Sequence, residues 1–197
     1  VIVGGGTAGW MAAAALSKVL RGKVQITLVE SEEIGTVGVG EATIPQIIGF
    51  NRLLGLDEMQ FMRETHATYK LGIRFTGWSE RPGFESYFHP FPGPVDLHTE
   101  PGFVANCALA RRGFEVPALP DDWFLAARLA DERKSPIPGP DFPFGPSYGY
   151  HFDAYKLGAF LRDWAVPRGV VHKAAKVADT ALTSRSRLNW PTALWAN

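Results

Sequence analysis

Apolar and polar residues follow two different periods along this chain, and each change of period marks an element. Val1-Ile2-Val3 is a short apolar run ended by Gly4-Gly5-Gly6, the pattern of a buried strand entering a turn. Ala8 to Leu20, rich in Ala and Leu, reads as a helix whose small residues Ala12 to Ala15 permit close approach of a neighbour. Val24 to Glu30 is β-branched and ends on an acid, which predicts a second strand. Strand, glycine turn, helix and strand in this order form a βαβ unit, whose two strands run parallel.

Beyond it lies the loop Ser31 to Glu41, with Gly35, Gly38 and Gly40 spaced through it. A helix is expected after Thr43-Ile44-Pro45, since proline fits a first turn where its missing N–H has no partner. Asp57 to Thr68 reads as another helix. Tyr69 to Thr76 alternates, with Tyr69, Leu71, Ile73 and Phe75 on one side and Lys70, Gly72, Arg74 and Thr76 on the other, a half-buried strand. From Trp78 to Gly149 the pattern weakens, apart from a helical stretch near Asp121 to Leu129. Pro136 to Pro146 holds five prolines and two glycines in eleven residues and reads as an extended loop. Asp153 is placed to cap a last helix, Ala154 to Trp164, which Pro167 and Gly169 end. The fold class is α/β, with a Rossmann-like domain that opens on the βαβ unit.

Composition narrows the function. The chain has 197 residues, 46% hydrophobic, with 20 basic residues balancing 20 acidic ones. That length supports a sizeable core, and zero net charge argues against a nucleic-acid partner. No apolar run approaches the roughly 20 residues of a membrane span, and no basic, signal-like region precedes the first strand. The single cysteine, Cys107, precludes an intrachain disulfide, suits a reducing cytoplasm and reads as a small buried hydrophobe. His66, His98, His151 and His172 show no metal-ligand spacing, so no metal site is expected.

The chemistry concentrates in the first turn. Gly4-x-Gly6-x-x-Gly9 lies between strand and helix: Gly4 for the tight turn, Gly6 for approach of the backbone to a pyrophosphate, Gly9 for packing of helix on strand. The helix N-terminus then offers N–H groups and its dipole to the phosphates. Glu30 ends the second strand 21 residues after Gly9, the interval at which an acid reaches ribose hydroxyls. That acid opposes an NADP 2′-phosphate, which leaves FAD or NAD. Trp10 either lines this site or packs in the core.

Gly4-Gly5-Gly6-Thr7-Ala8-Gly9-Trp10-Met11, followed by Val37-Gly38-Val39-Gly40-Glu41-Ala42-Thr43-Ile44-Pro45, resembles the flavin-dependent halogenases typified by tryptophan halogenases. The resemblance extends through Tyr69-Lys70…Phe75-x-x-Trp78, Phe88-His89-Pro90-Phe91 and Tyr150-His151-Phe152-Asp153-Ala154, and covers about Val1 to Leu182. It implies an FAD-binding domain over 1–182, with a substrate-side insertion at about 78–149, followed by a divergent tail, 183–197. It also implies an activity: reduced FAD, supplied in trans by a separate flavin reductase, forms a hydroperoxide with oxygen, and halide ion, the co-substrate, attacks it to give hypohalous acid. The acid then halogenates a small, electron-rich aromatic of the tryptophan or indole kind.

Residue by residue, the resemblance implies that Gly4, Gly6, Thr7, Ala8, Gly9 and Glu30 hold the ADP portion of FAD. Gly40, Glu41 and Ala42 would lie near the isoalloxazine, Val177 would contact adenine, and His89 and Phe91 would sandwich the substrate ring. Lys70 would carry the halogen as the catalytic lysine. On its strand Lys70 shares a face with Arg74, and the alternative for both is a solvated strand face. Two further readings stay open. One is a flavin monooxygenase reduced directly by NAD(P)H. The other is a noncatalytic, truncated FAD-binding remnant, because the family's second signature, Trp-x-Trp-x-Ile-Pro, is absent.

Overall fold

The computed structural model describes residues 1–34, 41–145 and 147–177. Gly40 and the tail 183–197 lie outside them. The βαβ start is present. Strand β1 (Ile2–Val3) leads through the glycine turn into helix α1 (Thr7–Leu20) and back to β2 (Thr27–Glu30), parallel to β1 with Ile2 opposite Leu28. Helices α2 (Gln46–Leu54) and α3 (Glu58–Thr65) follow. Pro45 stands at the N-cap position of α2 without a side-chain hydrogen bond, whereas Asp57 caps α3 by accepting from the Gln60 N–H at 2.8 Å. Helix α3 is shorter than its apolar pattern suggests, because His66 takes a positive φ of 52° and turns the chain into a strand.

That strand is not continuous. Thr68–Lys70 forms β3 and Gly72–Thr76 forms β4, and the two take different partners. β4 pairs antiparallel with β5 (Ser86–Pro90), and β3 pairs antiparallel with β6 (Gly149–His151). Gly72 makes the change of partner possible, since a Cβ there would collide with the His89 carbonyl and the Phe88 ring. The expected burial of the Tyr69, Leu71, Ile73 and Phe75 face holds at Leu71 but fails at Ile73, which is exposed.

The weakly patterned segment contains more structure than its prolines suggest. Helix α4 (Glu100–Arg111) opens with Pro101 in its first turn and buries no residue, so no apolar stripe announces it. Cys107 on α4 is only partly buried, with its Sγ 3.8 Å from the Ala118 carbonyl. Helix α5 (Leu125–Asp131) follows a short 3₁₀ turn at Pro120–Asp122.

Helix α6 (Ala154–Ala165) begins where Asp153 accepts from the Tyr155 and Lys156 N–H groups at 2.9 and 3.1 Å, and a 3₁₀ turn through Pro167 to Gly169 ends it. Its buried face, Leu157, Leu161 and Ala165, packs on Ala13 and Ala14 of α1. Replacing Asp153 by Ala should lower the unfolding free energy by about 1 kcal/mol in a urea titration, with Asp153→Ser recovering most of it. Strand β7 (Val171–Ala174) then joins the far side of β2, giving a parallel sheet of order β1-β2-β7. No described helix is long and apolar enough to cross a membrane.

Candidate functional site

The glycine turn is built as its spacing requires. Gly4 has a φ of +106°, a conformation that side chains resist, and its N–H donates to the Val29 carbonyl at 2.8 Å. A Cβ on Gly9 would strike the Gly4 carbonyl, so the close seating of α1 on the turn demands glycine there. Gly6 is the N-cap of α1 in extended backbone, and a Cβ on it would meet nothing within 4 Å. No side chain caps this helix and no acid stands in its first turn, so the N–H groups of Thr7, Ala8 and Gly9 have no intrahelical acceptor. The buried Thr7 Oγ1 likewise has no hydrogen-bond partner. Clustered donors, open space over Gly6 and a helix dipole suit a diphosphate.

Glu30 reaches this turn from the end of β2. Its carboxylate lies over Gly5, where any Cβ would collide with it. Its Oε1 stands 2.7 Å from His172 Nε2 on β7, without the alignment of a hydrogen bond. Spacing along the chain assigns no role to Gly5 and weighs His172 only as a metal ligand. The available signal was the short apolar run Val170-Val171 after the Pro167-Gly169 stop, which marks the strand that carries His172. Trp10 is 1% exposed and packs edge-on against the His172 ring, a core position rather than a site wall. Val177 is 41% exposed beyond the end of β7.

The second cluster forms around β6. Residues 41–43 run antiparallel along one edge of it: the Phe152 N–H donates to the Glu41 carbonyl at 2.9 Å, and the Thr43 N–H donates to the Tyr150 carbonyl at 2.9 Å. β3 occupies the other edge, so Glu41 and Ala42 stand two strand spacings, about 10 Å, from the strand of Lys70. Ala42 pairs with His151, and Lys70 with Gly149, which puts Ala42, His151, Thr68 and Lys70 on one face. Gly149 leaves room for the Thr43 carbonyl, so the chain leading out of 41–43 passes over the cross-strand partner of Lys70. Burial first, and the Lys70 charge second, hold the His151 imidazole below its ordinary pKa.

Lys70 Nζ lies 5.6 Å from the centre of the Phe91 ring. Phe91 is 7% exposed, and its N–H donates to the Leu71 carbonyl at 2.8 Å. His89 is exposed on β5, opposite Ile73. Lys70 and Phe91 are therefore brought together, with His89 two residues away along the same segment. Arg74 is not a second free cation beside Lys70. It belongs to β4, contacts Asp121 at 2.8 Å and Asp131 at 3.1 Å, and stacks on Phe88, so its charge is compensated locally.

The opposite face of β3 and β6 is aromatic. The hydroxyls of Tyr148 and Tyr150 both donate to Glu58 Oε1 at 2.7 Å, and Tyr69 packs against both rings. Burial, followed by Glu58, pushes the pKa values of both phenols far up, and Tyr69 is raised by the same two causes. This cluster ties the strand of Lys70 to the start of α3. Glu58→Ala should lower unfolding free energy by about 2 kcal/mol by leaving two phenols without their charged acceptor, and Glu58→Gln by less. Raised phenol pKa values make this contribution complete below pH 10.0 and reduce it as the pH climbs beyond that value, which urea titrations at several pH values check. Among the described residues, no three of His, Cys, Asp and Glu converge to hold a metal.

The profile of the family described as Tryptophan halogenase matches residues 1–191. The tryptophan 6-halogenase SttH of Streptomyces toxytricini is 38% identical over 208 aligned residues, covering 94% of this chain and 39% of that protein. The tryptophan 7-halogenase RebH of Lentzea aerocolonigenes is 35% identical over 90% of this chain and 36% of its own. Among solved structures, a flavin-dependent halogenase from Xanthomonas campestris superposes with a TM-score of 0.71 at 43% identity, over 94% of this chain and 36% of that one. The chain thus spans about two fifths of the length of the curated relatives it matches. With the family profile matched over nearly its entire length and a nucleotide-type turn at its start, the chain belongs to the tryptophan halogenase family.

Proposed function

We propose that this chain provides the FAD-binding and lysine-bearing part of a flavin-dependent halogenase acting on a small, electron-rich aromatic of the tryptophan or indole kind. One observation carries the reading: Lys70 lies against Phe91, and a single strand, β6, separates its strand from residues 41–43. The free N–H groups of Thr7, Ala8 and Gly9, opened by the turn at Gly4 and the bare backbone of Gly6, fit the diphosphate of FAD, and Glu30 fits its ribose. In this reading Gly40, Glu41 and Ala42 border the flavin ring and Val177 borders adenine. Residues 1–182 form the FAD-binding unit, with 78–149 on the substrate side.

Bound FAD, reduced by a separate flavin reductase, supplies with oxygen the equivalent that turns halide into hypohalous acid. The protein then directs that acid. The Lys70 nitrogen attacks the halogen, an N–X bond forms as the O–X bond breaks, and hydroxide leaves to take the amine proton as water. A hydrogen bond from Lys70 that holds the acid is the weaker form of the same role. His89 and Phe91 flank the aromatic ring, whose carbon takes the halogen as the N–X bond breaks, and the ring proton passes to the Lys70 nitrogen to restore the amine. Water kept away by the buried Phe91 face protects the oxidant from side reactions.

The test supplies the protein with FAD, a flavin reductase, NADH, halide, tryptophan and air, and analyses products by mass spectrometry. Monohalogenated product is expected, and without the reductase NAD(P)H should leave the bound flavin oxidised. Direct bleaching by NAD(P)H would favour a monooxygenase, and FAD binding without product would overturn the halogenating role of this chain.

A further inference from the structure

The register of the parallel sheet puts Leu28 opposite His172 and Glu30 opposite Ala174. Side chains of residues 28, 30, 172 and 174 therefore share the sheet face that α1 covers. On that face the His172 ring is wedged edge-on against buried Trp10, with ring centres 5.3 Å apart. Trp10 fixes where the imidazole stands, and the imidazole fixes one boundary for Glu30, whose Oε1 is 2.7 Å from Nε2. The other boundary is the backbone of Gly5, over which the Glu30 side chain is folded. Nε2 is buried and has no aligned hydrogen-bond partner, so its relation to the carboxylate is one of position and charge.

We infer that His172 is a positioning residue for the ribose-binding carboxylate, holding Glu30 between the imidazole and Gly5 in the orientation that meets the sugar hydroxyls of a dinucleotide. This inference rests on the reading of the glycine turn as the ADP cradle. A glutamate has many rotamers to lose on binding, and one already held between two walls loses fewer. The same arrangement explains why the second residue of the turn is glycine although its own conformation does not demand it: any side chain at Gly5 would displace the carboxylate.

The experiment is a double-mutant cycle read as FAD affinity by flavin fluorescence quenching. Glu30→Ala should weaken binding about tenfold or more, the scale of a hydrogen bond to a charged group. His172→Phe keeps the ring against Trp10 but removes the nitrogen, and His172→Gln keeps a polar group. Each should weaken FAD binding roughly fivefold, a coupling of ordinary size for residues in contact. In the Glu30→Ala background neither should have a further effect. Equal losses in both backgrounds would make His172 a structural residue, and unchanged or tighter binding by His172→Phe would remove the role altogether. If Glu30→Ala itself bound FAD like the native chain, the cradle reading would fall, and the inference about His172 with it.

Discussion

Gly6→Ala should fold as well as the native chain and yet lose roughly 100-fold in FAD affinity, about 2.7 kcal/mol. Position 6 has φ −71° and ψ −178°, a backbone any residue adopts, and an added methyl would meet nothing within 4 Å. Restricting the unfolded chain even favours alanine by about 0.5 kcal/mol. The methyl would stand where a diphosphate must approach the N–H groups of α1. Gly9→Ala is expected to differ, because its methyl would strike the Gly4 carbonyl and force α1 off the turn. Overpacking of this kind costs about 2–3 kcal/mol of stability, so Gly9→Ala should lose both fold stability and FAD. Thermal unfolding and flavin titration of the pair separate the two effects. A Gly6→Ala protein that binds FAD normally would mean that the open space over Gly6 has another use.

Lys70→Ala should lower halogenated product by about a thousandfold, within the range of a residue that takes direct part in bond making, while FAD binding is unchanged. Lys70 is half-buried and its neighbour is the Phe91 ring, so truncation should shift stability by no more than about 0.5 kcal/mol. Lys70→Arg distinguishes an amine from a mere positive charge. Guanidinium keeps the contact with Phe91 but stays protonated and offers no free amine, so this variant should also be inactive. Single-turnover product assays with reduced flavin check both. Product formation that survives Lys70→Ala would move the halogen-directing role elsewhere.

What was legible in the chain was whatever depends on neighbours in sequence. The turn from Gly4 to Gly9, the parallel return to Glu30 and the Asp153 cap of α6 each follow from a few adjacent residues, and all three are present. The remainder depends on partners far away. Lys70 and Arg74 look like one strand face, but β3 is completed by residues near 150 and β4 by residues near 88, and the Asp131 carboxylate that meets Arg74 is 57 residues distant. Helix α4 carries no apolar stripe because it buries no residue, and its Gly102 is where the Trp123 indole packs, since a Cβ there would press on it. His172 carried no local signal of its relation to Glu30, because that relation exists only once β7 has joined β2. The site is legible as two motifs, and their separation by a single strand is a property of the fold.

All of the chemistry rests on whether the first turn holds the ADP half of a flavin. Calorimetric titration of the folded chain with FAD and with FMN asks this directly, because FMN lacks the diphosphate linkage and the adenosine ribose that the turn and Glu30 are expected to grip. The expected result is one FAD per chain, bound at least about tenfold more tightly than FMN. A chain that circular dichroism shows to be folded, but that gives no heat with FAD or takes FAD and FMN alike, would contradict the account.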